Sequence, residues 1–214
     1  LLEVKPEIVA CDMHPSYNTR AAAEEMGLPV FPVQHHYAHI LSCMAENEWT
    51  TKKKVIGVSF DGTGYGTDGT IWGGEILLAD YDSFKRWGCI EPFAQTGGDA
   101  SAKEGWRIAV SLLGKIYGKE IALSIIETLG LCKSKLAKLQ FTMEERGINT
   151  VKSTSAGRLF DAVSAILGIR KASTFEGEAS TSLQFAAEKW LDSQEEKIAG
   201  YEDFVESGVM TEYR

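Results

Sequence analysis

Val33-Gln-His-His-Tyr-Ala-His39, followed further on by Val55-Ile-Gly-Val-Ser-Phe-Asp-Gly-Thr-Gly-Tyr-Gly66, is the part of this chain whose reading decides the fold. In a helix, His35 and His39 lie one turn apart on one face. Neutral imidazoles in that relation are a common way to hold a divalent metal. The second stretch is an apolar β-type run that ends in Asp61 and a glycine-rich turn. A carboxylate at the end of such a strand is placed to complete a metal or phosphate site. Read together, the two stretches point to metal-assisted nucleotide chemistry, although His-x-x-x-His also arises by chance. A zinc-protease helix requires glutamate directly after its first histidine, and His36 stands there, so a zincin is excluded. His36 is expected to point away from the pair, to the surface or behind the ligands. His14, before Pro15, reads as a turn residue.

Gly64-Tyr-Gly66-Thr-Asp-Gly69 matches the spacing of a dinucleotide fingerprint. That motif must open a helix whose N-terminus faces the pyrophosphate. Here Thr70-Ile-Trp-Gly-Gly-Glu-Ile-Leu-Leu-Ala79 follows, which reads as the return strand of a hairpin. No Lys-Ser or Lys-Thr pair follows the glycines, which excludes a P-loop. A hairpin loop can still cradle phosphate through backbone N–H groups, and as a tip it should contribute little to a core.

The chain has 214 residues, 44% of them hydrophobic, enough for one large core or two lobes. Its formal charge of −8 argues against nucleic-acid or anionic-membrane partners. No run of about 18 apolar residues is present, and no signal peptide opens the sequence. Cys11, Cys43, Cys89 and Cys132 are scattered without a C-x-x-C pair, the usage of reduced thiols in a cytoplasmic protein.

Periodicity predicts a short buried strand at 7–12, a second strand interrupted by prolines at 28–33, helices at 17–26 and 35–47, and antiparallel strands at 55–61, 71–79 and roughly 84–93. Helices are expected at 101–117, 119–129, 133–140, 157–167 and from 178 to about 199. The Thr96-Gly-Gly-Asp99 turn divides a sheet-rich region, 1–97, from a helical region, 98–214. Asp161 falls near the first turn of its helix, where the dipole favours an acid, so capping accounts for it as readily as ligand binding. Phe175-Glu-Gly-Glu-Ala179 is likewise a turn that caps the next helix. Asp99, Lys103, Glu104 and Arg107 fit a solvated helix face as well as a substrate site.

Asp12-Met-His-Pro-Ser-Tyr17, Gln34-His-His-Tyr-Ala-His39, Phe60-Asp-Gly-Thr-Gly-Tyr-Gly-Thr-Asp-Gly69, Pro92-Phe93, Gly97-Gly-Asp99, Ser155-Ala-Gly-Arg-Leu-Phe-Asp161 and Phe175-Glu-Gly177 occur in this order. Together they resemble the HypF carbamoyltransferase family, specifically its C-terminal transferase module. That module is similar to the enzymes that attach threonylcarbamoyl to tRNA adenosine. The resemblance implies an α/β chain of the actin/Hsp70-like, ribonuclease H-like ATPase fold, with two lobes. It also implies transfer of a carbamoyl group from carbamoyl adenylate, made from ATP and carbamoyl phosphate, to the C-terminal cysteine of HypE. The product becomes the cyanide ligand of nickel–iron hydrogenase.

By this resemblance His35, His39 and Asp61 are metal ligands and the catalytic centre. Gly62, Thr63 and Gly64 line the phosphates, and Asp161 and Gly177 approach the ribose. Two histidines and a carboxylate suit Zn²⁺ or Fe²⁺ by ligand type, with Mg²⁺ the third candidate. The chain departs from the family in lacking the acylphosphatase-like, zinc-finger and adenylate-forming parts and the Gly-Gly-Val-Phe-Gln-Asn-like segment. Gly105 also stands where the family usually has proline. The expectation is a two-lobed fold truncated at both ends, inactive by itself. Two other classes remain open: a module that binds nucleotide or HypE without turnover, and a sugar kinase of the same superfold. The histidine pair speaks against the kinase.

Overall fold

Short β-branched runs open the chain, and in the computed structural model, which describes residues 5–193, they become strands. Val9–Asp12 (β1) and Val30–Val33 (β2) pair in parallel, with Asp12 opposite Val33, and Asn18–Glu25 (α1) makes the crossover. The first strand was expected to be buried. It is only half-buried, and Ile8 beside it is exposed, because this small sheet is covered mainly by α1.

His35–Glu46 (α2) starts where Gln34 caps it, the Gln34 Oε1 accepting the Tyr37 N–H at 2.9 Å. Its apolar face, Tyr37, Ile40 and Met44, packs with Trp72, Leu77 and Ala79. These last residues belong to Ile71–Ala79 (β4), which pairs antiparallel with Val55–Tyr65 (β3). Phe84–Cys89 (β5) adds to the other side of β4, and Phe93–Thr96 (β6) is a separate short strand, so the expected 84–93 strand is two pieces.

Thr150–Ser153 (β7) has no counterpart in the sequence reading. It pairs antiparallel with β6 along its whole length and meets β4 in parallel at Ile71. The sheet order is therefore β3-β4-β7-β6, and the sheet continues across the Thr96–Asp99 turn into the mainly helical region. Four residues carry too little periodicity to be seen. Two partner strands, not intrinsic propensity, put them there.

The helical region supplies a second core. Gly105–Tyr117 (α4), Lys119–Leu129 (α5), Ser134–Arg146 (α6) and Ala156–Ile166 (α7) bury Ile108, Val110, Leu113, Ile126, Phe141 and Ala162 against one another and against Phe93. Burying each of the larger aliphatic side chains is worth about 1.5–3 kcal/mol. The expected 101–117 helix is broken: Ala100–Lys103 (α3) ends at Glu104, whose backbone sits at φ −101°, ψ 80°. A Cβ on Gly105 would lie 2.6 Å from the Asp161 carbonyl oxygen, so close packing on α7 bends the chain here. Glu104 thus has the non-helical backbone that a following proline would impose, although glycine follows. Glu178–Asp192 (α8) packs on α7, and its expected extension to about 199 lies outside the described residues.

A buried ion pair secures the sheet beside the site. Glu75 on β4 is fully buried, and its Oε2 accepts the Arg86 Nε–H at 2.7 Å. The Glu75 Oε1 accepts the Thr154 hydroxyl and lies 3.3 Å from the Gly73 amide nitrogen. Arg86 also lies over the Trp72 ring and pairs with Asp68 at 3.0 Å, and Asp68 organises the Gly66–Thr70 turn.

Candidate metal and nucleotide site

The side chains of α2 and the end of β3 converge. His35 Nε2 lies 2.8 Å from Asp61 Oδ2 and 3.2 Å from His39 Nε2, and His39 Nε2 lies 3.5 Å from the same carboxylate oxygen. One ligand atom from each residue falls within 4.8 Å of the others. Donors on a tetrahedral zinc ion stand about 3.3 Å apart, given bonds of about 2.0–2.1 Å, so the spacing suits a single ion. Two imidazoles and a carboxylate are the donor set that Zn²⁺ and Fe²⁺ accept. His39 is the exposed member, and His35 and Asp61 are part-buried.

Burial alone would raise the Asp61 pKa. The Gly62 N–H, donated to Oδ1 at 2.6 Å, and the facing His35 outweigh it and hold the carboxyl below the usual range. Asp61 is thus ionised at neutral pH, as a metal ligand must be. Behind His35, Asp12 Oδ2 stands 3.1 Å from Nδ1. Asp12 lies in the first sheet, 23 residues earlier, and no spacing rule could have joined it to the pair.

His36 is neither at the surface nor loosely placed. It is fully buried, its Nδ1 lies 3.1 Å from Gln34 Nε2, and its Nε2 has no partner among the described residues. Burial, then the neighbouring His35, pulls its pKa down to about 4. This neutral ring is the floor on which β3 rests.

That floor also explains where the glycines go. The β3 strand continues through Asp61–Tyr65, and the hairpin turn lies beyond it, at Gly66–Thr70. The pairing of β3 with β4 is irregular between Phe60 and Gly64, so Asp61, Gly62 and Thr63 leave the ladder. Asp61, Gly62 and Thr63 line the adjoining cleft, and Gly64 does not. A Cβ on Gly64 would lie 2.4 Å from His36 Cε1 and 3.1 Å from His35 Cβ. Gly64 was expected at a hairpin tip with little bearing on the core. Instead it lets β3 approach α2, the helix that carries both histidines. Gly64→Val should therefore cost about 1–3 kcal/mol through overpacking, read as a lower urea midpoint at unchanged slope. An unaltered midpoint would show that α2 can move away freely.

The cleft has a volume of about 630 Å³. The His35–Asp61 side forms one wall. Lys103, Arg158, Asp161 and the Ser173–Gly177 loop form the other. The walls are joined by Ser155, the N-cap of α7. Its Oγ accepts the Arg158 N–H at 3.0 Å and donates to the Gly62 carbonyl at 2.7 Å. Arg158 is pinned by the Ala102 carbonyl at 2.6 Å and by Asp161 at 2.9 Å. Burial pushes the Asp161 carboxyl above the ordinary range, and Arg158 opposes that shift. Gly177, at φ +78°, starts α8, and Glu178 turns back to accept the Thr174 N–H at 2.6 Å, so capping is part of what this turn does.

Of the residues singled out from sequence, His35, Asp61, Gly62, Thr63, Asp161 and Gly177 all line this one cleft, while His39 faces a neighbouring groove and Gly64 faces His36. The sequence reading missed the contact of Asp12 with His35 and the Ser155 link; Lys103, left open between a solvated face and a substrate site, lines the cleft. None of the four cysteines lines the cleft.

Residues 57–210 match the family described as carbamoyltransferase, Kae1-like domain, second subdomain, and residues 1–46 match the HypF Kae1-like domain. Carbamoyltransferase HypF of Rhizobium leguminosarum bv. viciae is 38% identical over 184 residues, which are 86% of this chain and 23% of that protein. The probable carbamoyltransferase HypF of Methanocaldococcus jannaschii is 39% identical over 191 residues, 87% of this chain and 24% of that one. The crystal structure of full-length HypF in the phosphate- and nucleotide-bound form superposes with a TM-score of 0.75 at 39% identity, over 84% of this chain and 23% of that one. The T. kodakarensis HypF crystal structure gives 0.73 at 32% identity, over 82% and 24%. The chain thus spans about a quarter of the length of these relatives, and it shares their mixed α/β, actin/ribonuclease H-like fold.

Proposed function

This chain belongs to the HypF carbamoyltransferase family, and on that premise we propose that it carries the site of carbamoyl transfer from carbamoyl adenylate to a cysteine thiolate of HypE, in cyanide-ligand synthesis for nickel–iron hydrogenase. The observation that carries the reading is the single cleft that joins the His35–Asp61 wall to the Lys103, Arg158, Asp161 and Gly177 wall. One wall offers metal ligands and the other offers cations for phosphate. In this reading residues 1–97 contribute the metal helix and phosphate strand, and residues 98–214 the wall that faces the nucleotide.

The residues divide the work. His35, His39 and Asp61 would hold a divalent ion. When bound, such an ion supplies Lewis-acid polarisation of a carbonyl or phosphate oxygen. Gly62 and Thr63 leave the β ladder; the Gly62 N–H is given to Asp61, so the Thr63 N–H would meet the phosphates, and Gly62 adds no side chain to hold them off. Lys103 and Arg158 face the same space and would balance phosphate charge. Asp161 and Gly177, in the second wall, are assigned to the ribose.

Carbamoyl adenylate is a mixed anhydride and already activated. The incoming sulfur forms a bond to the carbonyl carbon, the carbon–oxygen bond to phosphate breaks, and AMP leaves with the electron pair. The protein needs no nucleophile of its own, and the absence of cysteine from the cleft lining fits a thiolate brought by the partner. Among the described residues no helix is long and apolar enough to cross a membrane.

Binding tests this reading. The chain should take up one Zn²⁺ or Fe²⁺ per molecule, and His39→Ala should weaken that uptake by roughly tenfold or more, since even losses outside the ligand set cost about that much. Elemental analysis and competition titration measure it. Equal uptake by wild type and variant would remove His39 from the site, and no uptake by either would remove the metal.

A further inference from the structure

Asp12 stands where a carboxylate can govern a metal ligand without touching the metal. Its Oδ2 lies 3.1 Å from His35 Nδ1, while Asp61 lies 2.8 Å from Nε2 on the other side of the ring. The Asp12 side chain is mostly buried, and its Oδ1 accepts the His14 N–H at 2.8 Å. His14 stacks on Tyr17 with ring centroids 4.0 Å apart and meets the edge of Tyr65 at 4.9 Å. Tyr65 ends β3, the strand that bears Asp61. The end of β1 that carries Asp12 is thus joined, through His14, to the same strand as the ligand carboxylate.

We infer that Asp12 is a positioning residue of this site: it accepts a hydrogen bond from the Nδ1–H of His35 and so presents the Nε2 lone pair to the metal. An imidazole can carry its proton on either nitrogen and can turn about its Cβ–Cγ bond. An acceptor on Nδ1 settles both choices and raises the basicity of Nε2. His39 has no such partner on Nδ1 among the described residues, so the effect runs through His35. The inference rests on the metal reading given above.

Cobalt(II) titration of the chain tests it, because Co²⁺ reports both affinity and ligand geometry through its visible absorption. Asp12→Ala should bind Co²⁺ about 10–100-fold more weakly, with a shifted or weakened band. Asp12→Asn keeps a carbonyl acceptor for the Nδ1 proton but not the charge, and should fall between, at least about threefold weaker than wild type. Urea midpoints alike in all three would show that the fold is not what changed. Should the alanine variant fail to fold, the isosteric asparagine decides the matter. Affinity and spectrum equal to wild type in either folded variant would overturn the role of Asp12 and leave the metal reading standing. A wild-type chain that takes up no Co²⁺ would overturn both.

Discussion

Under the proposed carbamoyl transfer, an intact module carrying His35→Ala or Asp61→Ala and supplied with carbamoyl adenylate and HypE loses transfer by roughly 10²–10³, the range seen when one group that stabilises developing charge is removed. Two features of the site make the loss this large. Asp61 Oδ2 is within 3.5 Å of both imidazoles, so deleting it removes the atom around which the trio closes. His35 is the histidine that both Asp12 and Asp61 engage, so its loss frees two carboxylates to repel each other. Nucleotide affinity should fall much less, because Lys103, Arg158 and the second wall are untouched. HypE binding should survive as well. Mass spectrometry of the HypE C-terminal cysteine reads the result. Carbamoylation at the wild-type rate in either variant would take these residues out of the reaction. Wild-type binding of nucleotide and HypE with no transfer would instead identify a docking module.

The largest effect on stability is expected at Arg86. Arg86→Met leaves the Glu75 carboxylate in a fully buried position without its cation, and breaking a buried pair in this way costs about 3–5 kcal/mol. Arg86 itself is a quarter exposed, which places the expectation at the lower end of that range. The same change removes the Asp68 contact and the stacking on Trp72, so the Gly66–Thr70 turn loosens too. Urea unfolding of the single variants and of Glu75→Leu/Arg86→Met separates the causes. The double variant should recover most of the loss, because no charge is then stranded. A single variant within about 1 kcal/mol of wild type would mean that water reaches Glu75 in solution.

What sequence made legible was whatever one element could carry. The i, i+4 histidines needed only a helix, and Asp61 needed only the end of a β-type run. Both readings depend on neighbours in the chain, and the structure brings the three side chains together. The resemblance supplied Asp161 and Gly177, which line the same cleft although 100 residues and more separate them from Asp61. What stayed hidden was decided by partners far away. Thr150–Ser153 is a strand because β6 and β4 flank it. The break at Glu104 follows from the approach of Gly105 to Asp161. Polarity alone left His36 open between the surface and a place behind the ligands, whereas Gln34 and the bare backbone of Gly64 make room for it in the interior.

Between Phe60 and Gly64 the third strand has three residues where its partner, between Gly74 and Trp72, has one. The surplus is an even number, so every side chain beyond it keeps the face it would have had without it. A single extra residue would have turned Gly64 away from His36 and Tyr65 away from His14. The sheet would be equally regular if the two were deleted. They are a surplus that the architecture carries at no cost in register, so Asp61, Gly62 and Thr63 sit on a segment whose hydrogen bonding the sheet does not use.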